Sequence, residues 1–346
     1  MPSRRDAAAD LELRDEPALL YEPVRYVLRG GGKRLRPVLL LLVAEAFETE
    51  PEDALPAALA VEVFHNFTLV HDDVMDGADQ RRGRPAVHRR WDTGTALLTG
   101  DLLLARAYDL LAEAGETTGA DPTPLMRPFR RMARRLCEGQ ALDKTFETRE
   151  AVSVEEYLDM IDSKTGALLG AAFELGGRCG GASPERAESL REAGAALGRA
   201  FQIQDDLLDL TADSERWGKP VGGDLQEGKK TFLLLRARER VSEDDVSADA
   251  RALFERAAAD GLAPDEIDDA RRHMDRLGVL GDARRAVARH TDAATAHLRR
   301  ALPGGENGTA EDGVAKDGAA EDGSAEDDSA VGALRWLIGK MQARLH

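Results

Sequence analysis

The chain has 346 residues, about 42% of them apolar, and a formal net charge of −17. That length suits one large domain or two, and that apolar share suffices for a large core. The acidic balance leaves no basic stripe to neutralise phosphates, which argues against nucleic-acid binding. No apolar run, that of Val38 to Val43 included, reaches the length of a membrane span.

Aromatic residues are few and Ala and Leu abundant, which favours helices. Residues 1–12 lead from Met1-Pro2-Ser3-Arg4-Arg5 into acidic sequence and lack the apolar core of a signal peptide. Helical periodicity predicts helices near 37–48, 53–75, 93–114, 124–142, 153–175, 186–212, 229–240, 263–275, 277–301 and 331–345, and no alternating strand. Gly30-Gly31-Gly32, Asp121-Pro122-Thr123-Pro124, Gly180-Gly181 and Gly222-Gly223 punctuate them. The expected fold is all-α: a single-domain bundle of long helices around a central cavity, with its core in 1–302. Residues 303–330 recur in Ala-Glu-Asp-Gly units with almost no large apolar residue, and a disordered acidic insert is expected there. A final helix within 331–346, around Ala333-Leu334-Arg335-Trp336-Leu337-Ile338, is expected to pack back on the core.

Two cysteines, Cys137 and Cys179, make no disulfide framework and have no metal-ligand spacing, so a reducing cytoplasm is expected. Only 8 of the 47 basic residues are Lys. Scarce Lys with abundant Asp and Glu predicts a salt-adapted cytosol, where screening makes self-repulsion tolerable.

One acidic pattern occurs twice, as Asp72-Asp73-Val74-Met75-Asp76 and Asp205-Asp206-Leu207-Leu208-Asp209. Each copy follows apolar helical sequence, where unpaired carboxylates are costly. The other Asp-Asp pairs, at Asp244, Asp268 and Asp327, sit in polar surroundings and do not complete the pattern. A calcium loop does not fit, because Val74 and Gly83 fall where ligands are required. The first and last carboxylates of each copy lie one turn apart on one helical face. Two such faces opposed across a cavity would hold hard divalent cations, leaving coordination positions for phosphate oxygens.

The stripes extend the pattern. Asp72 and Asp76 each fall within roughly 20° of His65 on a helix, to either side of it. Gly194, Gly198, Gln202, Asp205 and Asp209 share a second stripe, on which the glycines make room either for a ligand or for a neighbouring helix. Cationic segments lie near both motifs: Gly31-Gly32-Lys33-Arg34-Leu35-Arg36-Pro37, Arg81-Arg82-Gly83, Lys164-Thr165-Gly166, Lys219-Pro220 and Lys229-Lys230-Thr231. Lys33, Lys164, Lys219, Lys229 and Lys230 are five of the eight lysines. Together they describe two anionic sites, one metal-bridged and one purely cationic.

In these segments, which run in order over most of residues 20–300, the chain resembles the trans-isoprenyl diphosphate synthases of the polyprenyl synthetase family, archaeal geranylgeranyl diphosphate synthases in particular. The resemblance implies the isoprenoid-synthase fold, a homodimer, and head-to-tail condensation of isopentenyl diphosphate with an allylic diphosphate. By matching positions it implies that Asp72, Asp76 and Asp205 bind three magnesium ions, supported by Asp73, Asp206 and Asp209. Arg81, Lys164, Thr165, Gln202 and Lys219 would contact the allylic diphosphate, and Lys229 the substrates. Lys33, Arg36, His65 and Arg82 would bind isopentenyl diphosphate. Asp72, Asp76, Asp205 and Lys164 are expected to carry catalysis. Phe67, five positions before Asp72, with small Thr68 at the fourth, resembles the pattern of synthases making the twenty-carbon product. Gly194 and Gly198 leave a twenty-five-carbon product open; a fifteen-carbon stop fits Thr68 poorly. A terpene cyclase would need neither Lys33 and Arg36 nor a second complete motif, a non-catalytic subunit would lack one motif, and a metal-buffering helical protein leaves the clustered lysines unexplained.

Overall fold

The computed structural model describes residues 13–117, 123–212, 221–243, 247–303 and 329–342. Nearly all are helical, as the periodicity predicts. The chain divides into two compact units, Met1–Phe129 with Ala172–Ser183, and Arg130–Ala171 with Pro184–His346.

The first unit is built on α3 (Pro51–Met75) and α5 (Thr93–Thr117), which pack along their lengths. Pro51 at the first helical position and Glu52 and Asp53 in the first turn start α3 favourably. α2 (Leu35–Glu45) lies against α3, and α1 (Ala18–Leu28) against α5. Leu39, Leu40, Val61, Phe64, Leu103, Leu110 and Phe129 are fully buried there. Between α3 and the short α4 (Val87–Arg90) the chain forms a two-residue ribbon, β1 (Gln80–Arg81) with β2 (Arg84–Pro85), paired antiparallel. This departs from the strand-free expectation. The turn residues Arg82 and Gly83 have φ of 55° and 72°, the pattern of a type I′ hairpin.

The second unit is built on α9 (Pro184–Thr211) and α14 (Val279–Ala301), with α7 (Val154–Ile161), α10 (Gly223–Gln226), α11 (Phe232–Glu243), α12 (Ala248–Ala259) and α13 (Ile267–Arg276) completing it. Ile203, Leu207, Leu210, Leu234, Phe254, Met274 and Val279 belong to its core. α6 (Thr123–Thr148) and α8 (Ala167–Cys179) run across the division in the chain. A Ser153/Glu156 capping box opens α7. The helix expected over 153–175 is not continuous: Asp162–Gly166 forms a π turn between α7 and α8. α1 and α12 were not expected, because Pro23 interrupts the apolar pattern of one and charged residues dilute that of the other.

α15 (Ala330–Gln342) lies against α14, with Leu334 and Ile338 buried and Trp336 exposed. Residues 304–328, the body of the acidic segment, lie outside the described residues. Cys137 and Cys179 are both free thiols, and burial pushes the Cys179 thiol up to about 11. No helix among the described residues is long and apolar enough to cross a membrane.

An ion-pair hub holds the second unit together. Asp282, in the first turn of α14, accepts from Arg236 at 2.8 Å and Arg240 at 2.9 Å on α11, and also from Arg285. Burial pushes its carboxyl up, but the three guanidinium hydrogen bonds outweigh that and hold it at about 2. A carboxyl depressed on folding stabilises above its unfolded value near 4 and loses that contribution as the pH falls towards 2. Asp282→Asn is therefore expected to cost roughly 2 kcal/mol at pH 7 and almost nothing at pH 2. Urea titrations at both values check this; an equal cost at both would rule out the charge as the cause.

Candidate active site

In the first unit, His65, Asp72 and Asp76 stand on one stripe of α3, as the spacing predicts, with Asp76 capping the helix. Arg36 Nη1 lies 3.1 Å from His65 Nε2. Burial, then Arg36, Arg82, Arg81 and Arg34, drive the imidazole well below its ordinary value. It is therefore neutral and accepts from Arg36 through Nε2. Five cations gather in this part of the chain: Lys33, Arg34, Arg36, Arg81 and Arg82. Positive φ at Gly31 (77°), Gly32 (132°) and Arg34 (50°) folds the loop that carries Lys33 and Arg34, and Arg36 follows in the first turn of α2. Arg34 donates to Leu28 O at 2.8 Å and pairs with buried Glu62, an anchoring role that the sequence pattern did not distinguish from ligand binding. Arg82 donates to Gly31 O, and a Cβ on Gly32 would lie 2.9 Å from the Arg82 guanidinium carbon. Arg81 Nε donates to Asp73 Oδ1 at 2.8 Å, and Asp73 is buried.

In the second unit, the π turn presents Lys164 and Thr165. Lys164 Nζ donates to Asp143 Oδ2 at 2.6 Å. Thr165 Oγ1 donates to Gln202 Oε1 at 3.1 Å, and Gln202 Nε2 to Asp206 Oδ1 at 3.3 Å. Asp206 is buried, and its Oδ2 accepts from Tyr157 Oη at 2.5 Å and from Phe232 N at 3.1 Å. Burial, then the nearby Asp224, raises its carboxyl to about 7 against the pull of these hydrogen bonds. Burial and the same Asp206 push the Tyr157 hydroxyl well up. The second Asp of each motif is thus turned inward to protein partners, Arg81 for Asp73 and three donors for Asp206. Asp209 Oδ2 accepts from Asp224 N at 3.1 Å. Lys229 pairs with Glu227 at 2.6 Å and Asp224 at 3.6 Å. Lys219 lies outside the described residues. Asp143 and Tyr157 were not singled out from sequence: each is one polar residue whose partner lies 21 or 49 positions away, and no local signal marks it.

The stripe glycines are helix contacts. A Cβ on Gly194 would lie 2.5 Å from Leu169 O, and one on Gly198 2.6 Å from Gly166 Cα. That resolves the two readings in favour of close packing and removes the glycine argument for a longer product. Gly198→Ala is expected to destabilise by about 1–3 kcal/mol, because backbone faces backbone and neither can yield cheaply. Denaturant titration measures this; an unchanged stability would restore the cavity reading.

The remaining carboxylates suit magnesium. Asp72 and Asp205 are half-buried and Asp76 is exposed, all with hard oxygen donors. Both motifs occupy the C-terminal turns of long helices, where the helix dipole is negative, and neither last turn has a basic residue. Carboxylates there are unfavourable alone and are stabilised by a bound cation. Among the described residues no group of three such ligands forms a closed cage.

Two acidic motifs, each near the C-terminal end of a long helix and each in its own unit, stand on a scaffold that is almost wholly helical among the described residues. The polyprenyl synthetase family profile matches residues 17–265, and the chain belongs to that family. Geranylgeranyl diphosphate synthase of Methanosarcina mazei is 44% identical over 258 residues, 74% of this chain and 79% of that protein. Geranylfarnesyl diphosphate synthase of Natronomonas pharaonis is 40% identical over 295 residues, 77% and 85% of the two chains. The crystal structure of geranylgeranyl pyrophosphate synthetase from Pyrococcus horikoshii Ot3 matches with a TM-score of 0.80 at 32% identity, covering 97% of this chain and 93% of that one.

Proposed function

We propose that the chain is a magnesium-dependent trans-prenyltransferase that joins isopentenyl diphosphate head-to-tail to allylic diphosphates, with geranylgeranyl diphosphate as the main product. The observation that carries this reading is the pairing of two complete acidic motifs with a separate cationic cluster around neutral His65. Asp72, Asp76 and Asp205 are the proposed magnesium ligands, for three ions per site. Bound magnesium would neutralise the allylic diphosphate and so ease ionisation of its C–O bond.

Lys33, Arg36, His65 and Arg82 hold isopentenyl diphosphate in this reading, and neutral His65 offers a hydrogen bond rather than a fixed charge. Arg81, Lys164, Thr165, Gln202, Lys219 and Lys229 hold the allylic partner. The fixed cations stabilise the charge that develops on the leaving group. The double bond of isopentenyl diphosphate attacks the allylic carbocation, and the departing diphosphate takes the proton that is then lost. Water must be kept from the carbocation, because it would quench it. A homodimer in a salt-adapted cytoplasm completes the proposal.

The test is product analysis. The purified protein is incubated with labelled isopentenyl diphosphate, magnesium and each of three allylic primers, at low and high potassium chloride. A dominant twenty-carbon diphosphate is expected. A twenty-five-carbon product would keep the chemistry and move the chain-length stop. No incorporation by folded protein at any salt would overturn the proposal.

A further inference from the structure

Arg82 and Gly83 form a two-residue turn with two positive φ values, directly after Arg81 on the first strand, a conformation that the Arg82 side chain does nothing to enforce. The support comes from α1. Tyr26 Oη donates to Pro85 O at 2.8 Å, on the second strand of the hairpin. Arg84, paired with Arg81 in the ribbon, donates from Nη1 to Tyr26 O at 3.1 Å. Its guanidinium carbon lies 3.7 Å from the centre of the Tyr26 ring. The Trp91 ring meets Tyr26 edge-on at 5.2 Å, and the Arg90 guanidinium carbon lies 4.5 Å from the Tyr26 centroid. One aromatic residue is thus fixed by α4 and its following residue, and in turn fixes Arg84 and Pro85, the two residues of the second strand. Arg82 then reaches over Gly32 to Gly31 O, in the loop that carries Lys33.

We infer that Tyr26, with Arg84, is a positioning residue for isopentenyl diphosphate binding, holding the hairpin so that Arg82 lies against the Lys33 loop. This rests on the assignment of Arg82 to isopentenyl diphosphate proposed above. Tyr26 touches none of the proposed reacting groups. It acts through the backbone of the ribbon, so its loss should affect affinity for one substrate rather than the chemical step.

The experiment titrates isopentenyl diphosphate calorimetrically into metal-free wild-type protein, Tyr26→Leu, Tyr26→Phe and Arg84→Gln, alongside steady-state kinetics. Tyr26→Leu and Arg84→Gln are each expected to weaken isopentenyl diphosphate binding about tenfold and raise its KM to match, with kcat within about threefold. Tyr26→Phe keeps the ring under Arg84 and is expected to recover most of the affinity. Unchanged binding in both Tyr26→Leu and Arg84→Gln would overturn the inference, as would a fall in kcat or melting temperature with binding intact. Wild-type protein that does not bind isopentenyl diphosphate would overturn the assignment of Arg82 itself. Arg84→Gln leaves α1 unaltered, so the outcome does not depend on whether Tyr26→Leu folds.

Discussion

Asp72→Ala is expected to lower turnover by at least about 10²–10³-fold while leaving the protein folded. Asp72 lies in the last turn of α3, after the buried part of the helix has made its contacts through Val61, Phe64 and Val70. Removing a carboxylate from the negative end of a helix dipole costs the fold little and relieves some repulsion. The loss falls on the metal-bound state. Asp73 cannot take over, because it is buried and already engaged by Arg81. The check is a rate measurement at saturating substrates over a magnesium titration, with melting curves recorded with and without magnesium and inorganic pyrophosphate. Near-normal turnover of a folded variant would sink the metal assignment. A stabilising shift by metal and pyrophosphate equal to that of wild type would do the same independently of activity.

Phe67→Ala is expected to move the product distribution from twenty carbons to longer chains. Phe67 is half-buried, unlike fully buried Phe64, and so retains a face that is not spent on packing. It is edge-on to Phe64 at 5.2 Å and to His71 at 4.9 Å. Phe64 continues the row to Phe129 at 5.3 Å, and Phe129 to Tyr108 at 5.1 Å. Deleting the outer ring therefore opens space while the rings behind it stay in place. Thr68 offers no substitute stop, since it is buried with its hydroxyl bonded to His65 O at 2.9 Å. Chromatography of the dephosphorylated products from the variant and wild type decides it. An unchanged distribution would remove Phe67 from the role of chain-length stop.

The acidic motifs were legible because two signals coincide there: helical periodicity places their carboxylates on one face, and apolar flanks make stray charge costly. Lys164-Thr165-Gly166 was legible as a cationic segment within the helix expected over 153–175. Its π geometry was not, because that depends on Gly139 of α6, where a Cβ would lie 2.6 Å from Lys164 N. The Arg81-Arg82 pair was visible, but its hairpin was hidden, because two-residue strands have no alternation to detect. Tyr26 and Arg84 were invisible for a related reason: their meaning lies in contacts 58 and 59 positions along the chain. For Gly194 and Gly198, periodicity gave the face but not the neighbour, and only the backbone of the π turn and α8 decides what that face meets.

The π turn also restricts how the length of this chain can change. Its wider winding accommodates a residue more than the same stretch of α-helix would. Deleting one residue between Asp162 and Gly166 would therefore let the backbone close into continuous α-helix while α8 keeps its register. Leu168, Leu169, Ala172 and Phe173 would stay buried, and the contacts of Lys164 and Thr165 to Asp143 and Gln202 would be lost. A second deletion has no such slack and would turn α8 by about 100°.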